Sequence, residues 1–98
     1  PVRLRRQEVT FAEGVKAVEK MRFVNLSGKP LTLSCEEAFL PECLSFRTDP
    51  VTVPAGEEGQ IVISYDPSAS GSRETMKVIL KGLGLPPSKA TISVRLTR

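Results

Sequence analysis

Apolar residues in this chain recur at every second position, in short runs broken by turn residues, and that spacing limits the folds open to it. Successive side chains of a strand point to opposite faces, so a period of two buries one face and leaves the other wet. Val9 and Phe11 flank Thr10, Met21 and Phe23 flank Arg22, and Leu31, Leu33 and Cys35 alternate with Thr32 and Ser34. Val51 and Val53 flank Thr52, and the pattern returns in Ile61, Ile63 and Tyr65, in Met76, Val78 and Leu80, and in Ile92, Val94 and Leu96. These seven runs predict an all-β sandwich of about seven antiparallel strands.

The punctuation agrees. Gly28 and Pro30 mark a tight turn after Asn25, Pro54 and Gly56 a second, Asp66, Pro67 and Gly71 a loop, and Gly82, Gly84, Pro86 and Pro87 the last break. Residues 36–44 have room for one short helical turn, limited by Pro41. In residues 12–20, Gly14, Val15 and Val18 favour turn and strand. Residues 1–7 read as a flexible lead-in or an edge strand. At 98 residues the chain suits one domain, 1–98, with a small core. It opens on Pro1 without a charged-then-apolar leader, which reads as a domain excised from a longer chain or a mature fragment.

Composition narrows the function classes. There is no histidine, so Ser-His-Asp and Cys-His chemistry and His-based metal sites are excluded. Among the carboxylates, Glu57, Glu58 and Asp66 are the candidates for a paired acid and base, but neighbours in a strand face opposite ways. An enzyme is not expected, nor is a cofactor. Net charge is +3, spread thinly, with 5% aromatics and no tryptophan, which argues against a nucleic-acid partner. No apolar stretch is long enough for a membrane-spanning helix.

The segment from Met21 through Phe23, Asn25, Gly28 and Pro30 to Leu31 resembles a hairpin of immunoglobulin-like modules, and the segment from Pro54 through Gly56, Ile61, Ile63 and Tyr65 to Pro67 resembles their following strand. The resemblance covers residues 8–97 and is to modules of bacterial, Bacteroides-type secreted proteins and lipoproteins, more distantly to hydin-type and major-sperm-protein-like domains. It implies an immunoglobulin-like β-sandwich acting as a non-catalytic structural or protein-interaction module. The implied setting is periplasmic, cell-surface or secreted, and the partner a neighbouring domain or another protein chain. A carbohydrate-binding module and an intracellular cytoskeletal or ciliary hydin-type domain are the alternatives.

Three groups of residues are candidate sites. Cys35 and Cys43 are two free thiols, a disulfide closing a short loop, or soft metal ligands beside Met21 or Met76. Arg3, Arg5 and Arg6 form a basic run that either meets an acidic partner or guards an edge strand. Two loops are unusually apolar: Phe39 and Leu40 with Pro41 and Leu44, and Leu83 and Leu85 with Pro86 and Pro87. The first is expected to plug one end of the core, and the second is the leading candidate for an interaction loop.

Overall fold

The computed structural model describes residues 2–98. One sheet is built from β1 (Val2–Leu4), β3 (Ala17–Asn25), β6 (Glu58–Tyr65) and β5 (Leu44–Asp49), in the order β1-β3-β6-β5. The other is built from β2 (Glu8–Ala12), β8 (Thr91–Thr97), β7 (Thr75–Lys81) and β4 (Ser34–Cys35), in the order β2-β8-β7-β4. The class is all-β and the sheets form a sandwich. A 3-10 turn over Glu37–Phe39 and a single-turn helix α1 (Pro87–Ala90) are its only helical pieces among the described residues.

Two features differ from expectation. There are eight strands, and β2 runs parallel to β8, so the sheets are not wholly antiparallel. The parallel pair arises because β1 and β2 are successive parts of one strand course that changes sheets across residues 5–7. Its second half lies beside the last strand, running the same way. Of residues 1–7, expected to be a flexible lead-in or an edge strand, Val2–Leu4 form the edge strand β1, and Pro1 lies outside the described residues. The Val51 and Val53 run is not a strand: Val51 is exposed, and Val53 makes only an isolated bridge to Leu31. The strand in that region is β5, whose inward row is Leu44, Phe46 and the buried Thr48. A polar third member hides the period of two.

Elsewhere the alternation holds. Phe11, Met21, Phe23, Ile61, Ile63, Tyr65, Val78, Ile92 and Val94 meet between the sheets, each worth about 1.5–3 kcal/mol when fully removed from water. Val62 is the exception, fully buried on the outer face of β6. In register it sits between Lys20 of β3 and Arg47 of β5. The aliphatic stems of such residues cover apolar neighbours while their charges stay wet. Gly59 stands opposite Phe23, and a Cβ there would lie 2.5 Å from Val53 Cγ2 and 2.9 Å from Phe23 Cζ. Only a bare backbone lets the Phe23 ring lie over β6.

At one end of the sandwich a buried polar residue fastens two loops. Asn25, 0% exposed, donates from Nδ2 to the carbonyls of Lys29 at 2.7 Å, Val53 at 3.0 Å and Pro54 at 3.3 Å. Its Oδ1 accepts from the Ser27 N–H at 2.9 Å and from the Ser27 hydroxyl at 2.6 Å. Both sides of the amide are thus satisfied, which is what makes its burial tolerable.

Candidate interaction site

The two long flanks of the sandwich are built differently. On one, residues 5–7 carry the chain from sheet to sheet and are tied down. Arg5 Nη2 donates to Glu58 Oε1 at 2.7 Å, Arg6 pairs with Glu19 at 3.5 Å, and Gln7 Nε2 donates to the carbonyls of Ser88 and Thr91 at 2.8 and 3.1 Å. On the other flank lie β4 and β5, the terminal strands of separate sheets. A groove of about 420 Å³ opens there, lined by Leu33, Cys35, Leu40, Phe46 and Val51, with charges at its margin from Glu37, Arg47, Asp49 and Lys81.

Hydrogen-bond phase fixes which backbone groups face this groove. The Asp66 N–H donates to the Cys43 carbonyl at 2.8 Å, so the bonded positions of β5 that follow are Ser45, Arg47 and Asp49. Leu44, Phe46 and Thr48 turn their N–H and C=O groups away from β6. Among the described residues only the Leu44 N–H meets a partner there, the Pro41 carbonyl at 3.0 Å. On β4 the Glu36 N–H donates to Ile79, which turns the Cys35 backbone the same way.

The groove is framed at both ends. Leu31 and Val53 exchange backbone bonds of 2.9 and 2.8 Å, and the Thr32 and Thr52 hydroxyls meet at 2.9 Å. At the opposite end stands the turn Glu37–Phe39 with Leu40. Val51, which lines the groove, is 70% exposed, and on the turn Phe39 is 66% exposed, facing a neighbouring hollow with Pro41, Gly71 and Met76.

Both apolar loops plug the core, the first as expected with Leu40 and the buried Leu44, the second with its leucines. Leu83 is buried, Leu85 is half-buried against the core, and Pro86 leads into α1 with Pro87 as its first residue; only the prolines are exposed. The leucines therefore plug the core, because the α1 turn folds this loop back over it. In the other loop Leu40 packs on the core while Phe39 points outward.

Cys35 and Cys43 are both free and buried. The Cys43 thiol lies 3.6 Å from Met76 Sδ, and Cys35 lines the groove. Burial pushes both thiols up from their ordinary value, helped at Cys35 by the Glu37 carboxylate and at Cys43 by Asp66. Both are thus neutral thiols at physiological pH, of low nucleophilicity. The disulfide is not formed, and the Cys43–Met76 contact brings together two of the sulfur atoms weighed as soft ligands.

The carboxylates form no acid–base pair. Glu58 is held below its ordinary value mainly by the hydrogen bond from Arg5, and Asp66 by Ser68, whose N–H and hydroxyl donate to its Oδ1 at 3.0 and 2.7 Å. Of the basic run, Arg5 and Arg6 serve the crossing segment, while Arg3 is exposed on β1. No helix of the structure is long and apolar enough to cross a membrane.

Two features escaped the sequence reading: the β5 edge, and the role of Asn25. Asn25-Leu26-Ser27 also fits the N-glycosylation acceptor pattern. The buried amide with three carbonyl partners leaves it no room for a glycan.

Comparison with protein-family models, curated proteins and solved structures finds no match to this chain.

Proposed function

We propose that the chain is an immunoglobulin-like module that works by binding protein, as part of a larger cell-envelope or secreted bacterial protein, and that it is not an enzyme. The strand order supports the first part. Taking β1 and β2 as the split first strand, β1-β3-β6-β5 corresponds to the A-B-E-D sheet and β8-β7-β4 to the G-F-C sheet of the immunoglobulin arrangement. The bacterial envelope setting rests on the motif segments around Asn25 and Pro54.

The observation that carries the binding role is the framed groove on the β4–β5 flank, with the exposed Val51 lining it and the exposed Phe39 on the turn that bounds it. Exposed apolar and aromatic side chains that become buried on association are the kind that anchor protein contacts. Sugar recognition on a sheet face is less favoured: Phe11, Phe23 and Tyr65 are buried and Phe46 is half-buried, so no aromatic platform lies on either sheet.

A photo-crosslinking residue placed at Phe39 in the intact parent protein, inside its own cells, tests this reading. Crosslinks to a neighbouring domain or a second protein are expected, with few from the same probe at Pro86. Absence of protein crosslinks from Phe39, together with glycan-array binding, would replace the reading with a carbohydrate-binding one.

A further inference from the structure

We propose that the β4–β5 groove takes a short extended peptide segment of a partner protein, added as a strand to the free edge of β5. The inference rests on the protein-binding reading above and names the kind of partner.

Backbone chemistry comes first. Phe46 and Thr48 each present an N–H and a C=O to the groove, and Leu44 presents a C=O, because the alternate positions Ser45, Arg47 and Asp49 are bonded to β6. A row of alternating donors and acceptors is satisfied fully by another extended backbone. On β4, which is two residues long, only Cys35 faces the same way, so β5 is the rail that can hold a strand.

The side chains define the segment. Residues pointing between the sheets would meet Phe46, Leu33, Leu40 and Cys35, so every second position of the guest is apolar. The intervening positions lie over Ser45, Arg47 and Asp49 on the wet face of β5, so they are polar and carry little net charge. The groove volume of about 420 Å³ lies within the range of about 300–1,000 Å³ typical of ligand sites.

The frame decides between a peptide and a second copy of this chain. Edge pairing between two sandwiches needs a protruding edge free at both ends. Here the Leu31–Val53 bridge bounds one end and the Glu37–Phe39 turn the other. A six-residue strand spans about 20 Å, the length of a short linear segment.

The β1–β2 flank is spanned by residues 5–7, whereas the β4–β5 flank is not. Beside β1 and β2 stand Arg3, Arg5, Arg6 and Glu8, charges of the kind that deter strand addition. The outward row of β5 carries Arg47 and Asp49, of opposite sign, and its inward row is Leu44, Phe46 and Thr48. The exposed Val51 lines the groove and supplies an apolar contact just beyond the paired stretch.

The test selects random peptides displayed on phage against the chain, then makes the enriched sequence synthetically. Alternating apolar and polar residues are expected. Binding should slow amide exchange at Phe46 and Thr48 specifically. N-methylation of single peptide amides should weaken binding about tenfold at alternate positions and little at those between, since a lost backbone hydrogen bond costs on that order. Phe46→Lys, with an unchanged melting temperature, should abolish binding; if that variant unfolds, the N-methyl scan on the unaltered protein stands alone. The proposal is overturned if no peptide is enriched, if bound peptides leave the Phe46 and Thr48 amides unchanged, or if N-methylation has no alternation. Dimerisation of the free chain that protects those same amides overturns it in favour of a second copy. Crosslinks from Phe39 in the parent protein alongside failure of the peptide arms would leave the binding module standing and remove only the added strand.

Discussion

The flank crossed by residues 5–7 and the flank lined by β4 and β5 solve the same problem in opposite ways. A two-layer sandwich must do something with the gap between its sheets along each side. On the first flank the chain itself spans the gap, and Arg5, Arg6 and Gln7 bond it to β6, β3 and the α1 region. On the second, among the described residues, no segment crosses between the sheets, and the Leu31–Val53 bridge with the Thr32–Thr52 contact joins them at one end of the groove. The difference teaches that an open flank needs its frame held rigidly, and the frame here hangs on Asn25.

Replacing Asn25 by alanine is therefore expected to have the largest effect. It strips the carbonyls of Lys29, Val53 and Pro54 of a buried donor, at about 3 kcal/mol in denaturant unfolding. The Val53 N–H, which donates to the Leu31 carbonyl in the frame, should also exchange faster in this variant. A cost below about 0.5 kcal/mol would show that the frame does not depend on it.

Next is Gly59→Ala, whose methyl must displace the Val53 and Phe23 side chains, for about 2 kcal/mol of overpacking. It should disturb the groove end through Val53 and leave the crossed flank unchanged, as chemical shifts would report. Gln7→Ala probes the opposite flank: two hydrogen bonds are lost at a half-buried site, worth about 1 kcal/mol. Exchange at Ser93, whose N–H donates to the Gln7 carbonyl, should quicken while β5 stays as it was.

The thiols sharpen the contrast further. Both should resist maleimide in the native protein, and Cys35, which lines the groove, should become reactive before Cys43 when Asn25 is replaced. The smallest effect is the response to acid. Glu58 and Asp66 are held below their ordinary values in the fold, so each adds stability at neutral pH that is lost as pH falls through its folded value. Glu58 is exposed and Asp66 half-buried at the surface, so the slope is shallow. It should flatten in Arg5→Ala, which removes the main cause at Glu58 on the crossed flank.

Much of this architecture was legible in the alternation of Ile61, Ile63 and Tyr65 or of Ile92, Val94 and Leu96, where both chemistry and burial repeat every second residue. β5 was hidden because its inward row ends in Thr48, a polar residue satisfied locally by the Val51 carbonyl at 3.2 Å. Val51 and Val53 mimicked a strand because two β-branched residues around a threonine look the same whether or not a partner strand lies alongside. The parallel β2–β8 pair could not be read locally, since it joins residues at opposite ends of the chain. The apolar loops were visible as unusual, but which leucine turns inward depends on the path of α1, which a period of two does not encode. Asn25 looked like turn punctuation, and only its burial shows that it ties two loops together.

Amide hydrogen exchange along β5 tests the open flank most directly. The account requires alternation: slow exchange at Ser45, Arg47 and Asp49, bonded to β6, and fast exchange at Phe46 and Thr48, which face the groove. Uniform protection of all five amides in the free monomer would mean that the edge is covered, and would contradict the open flank.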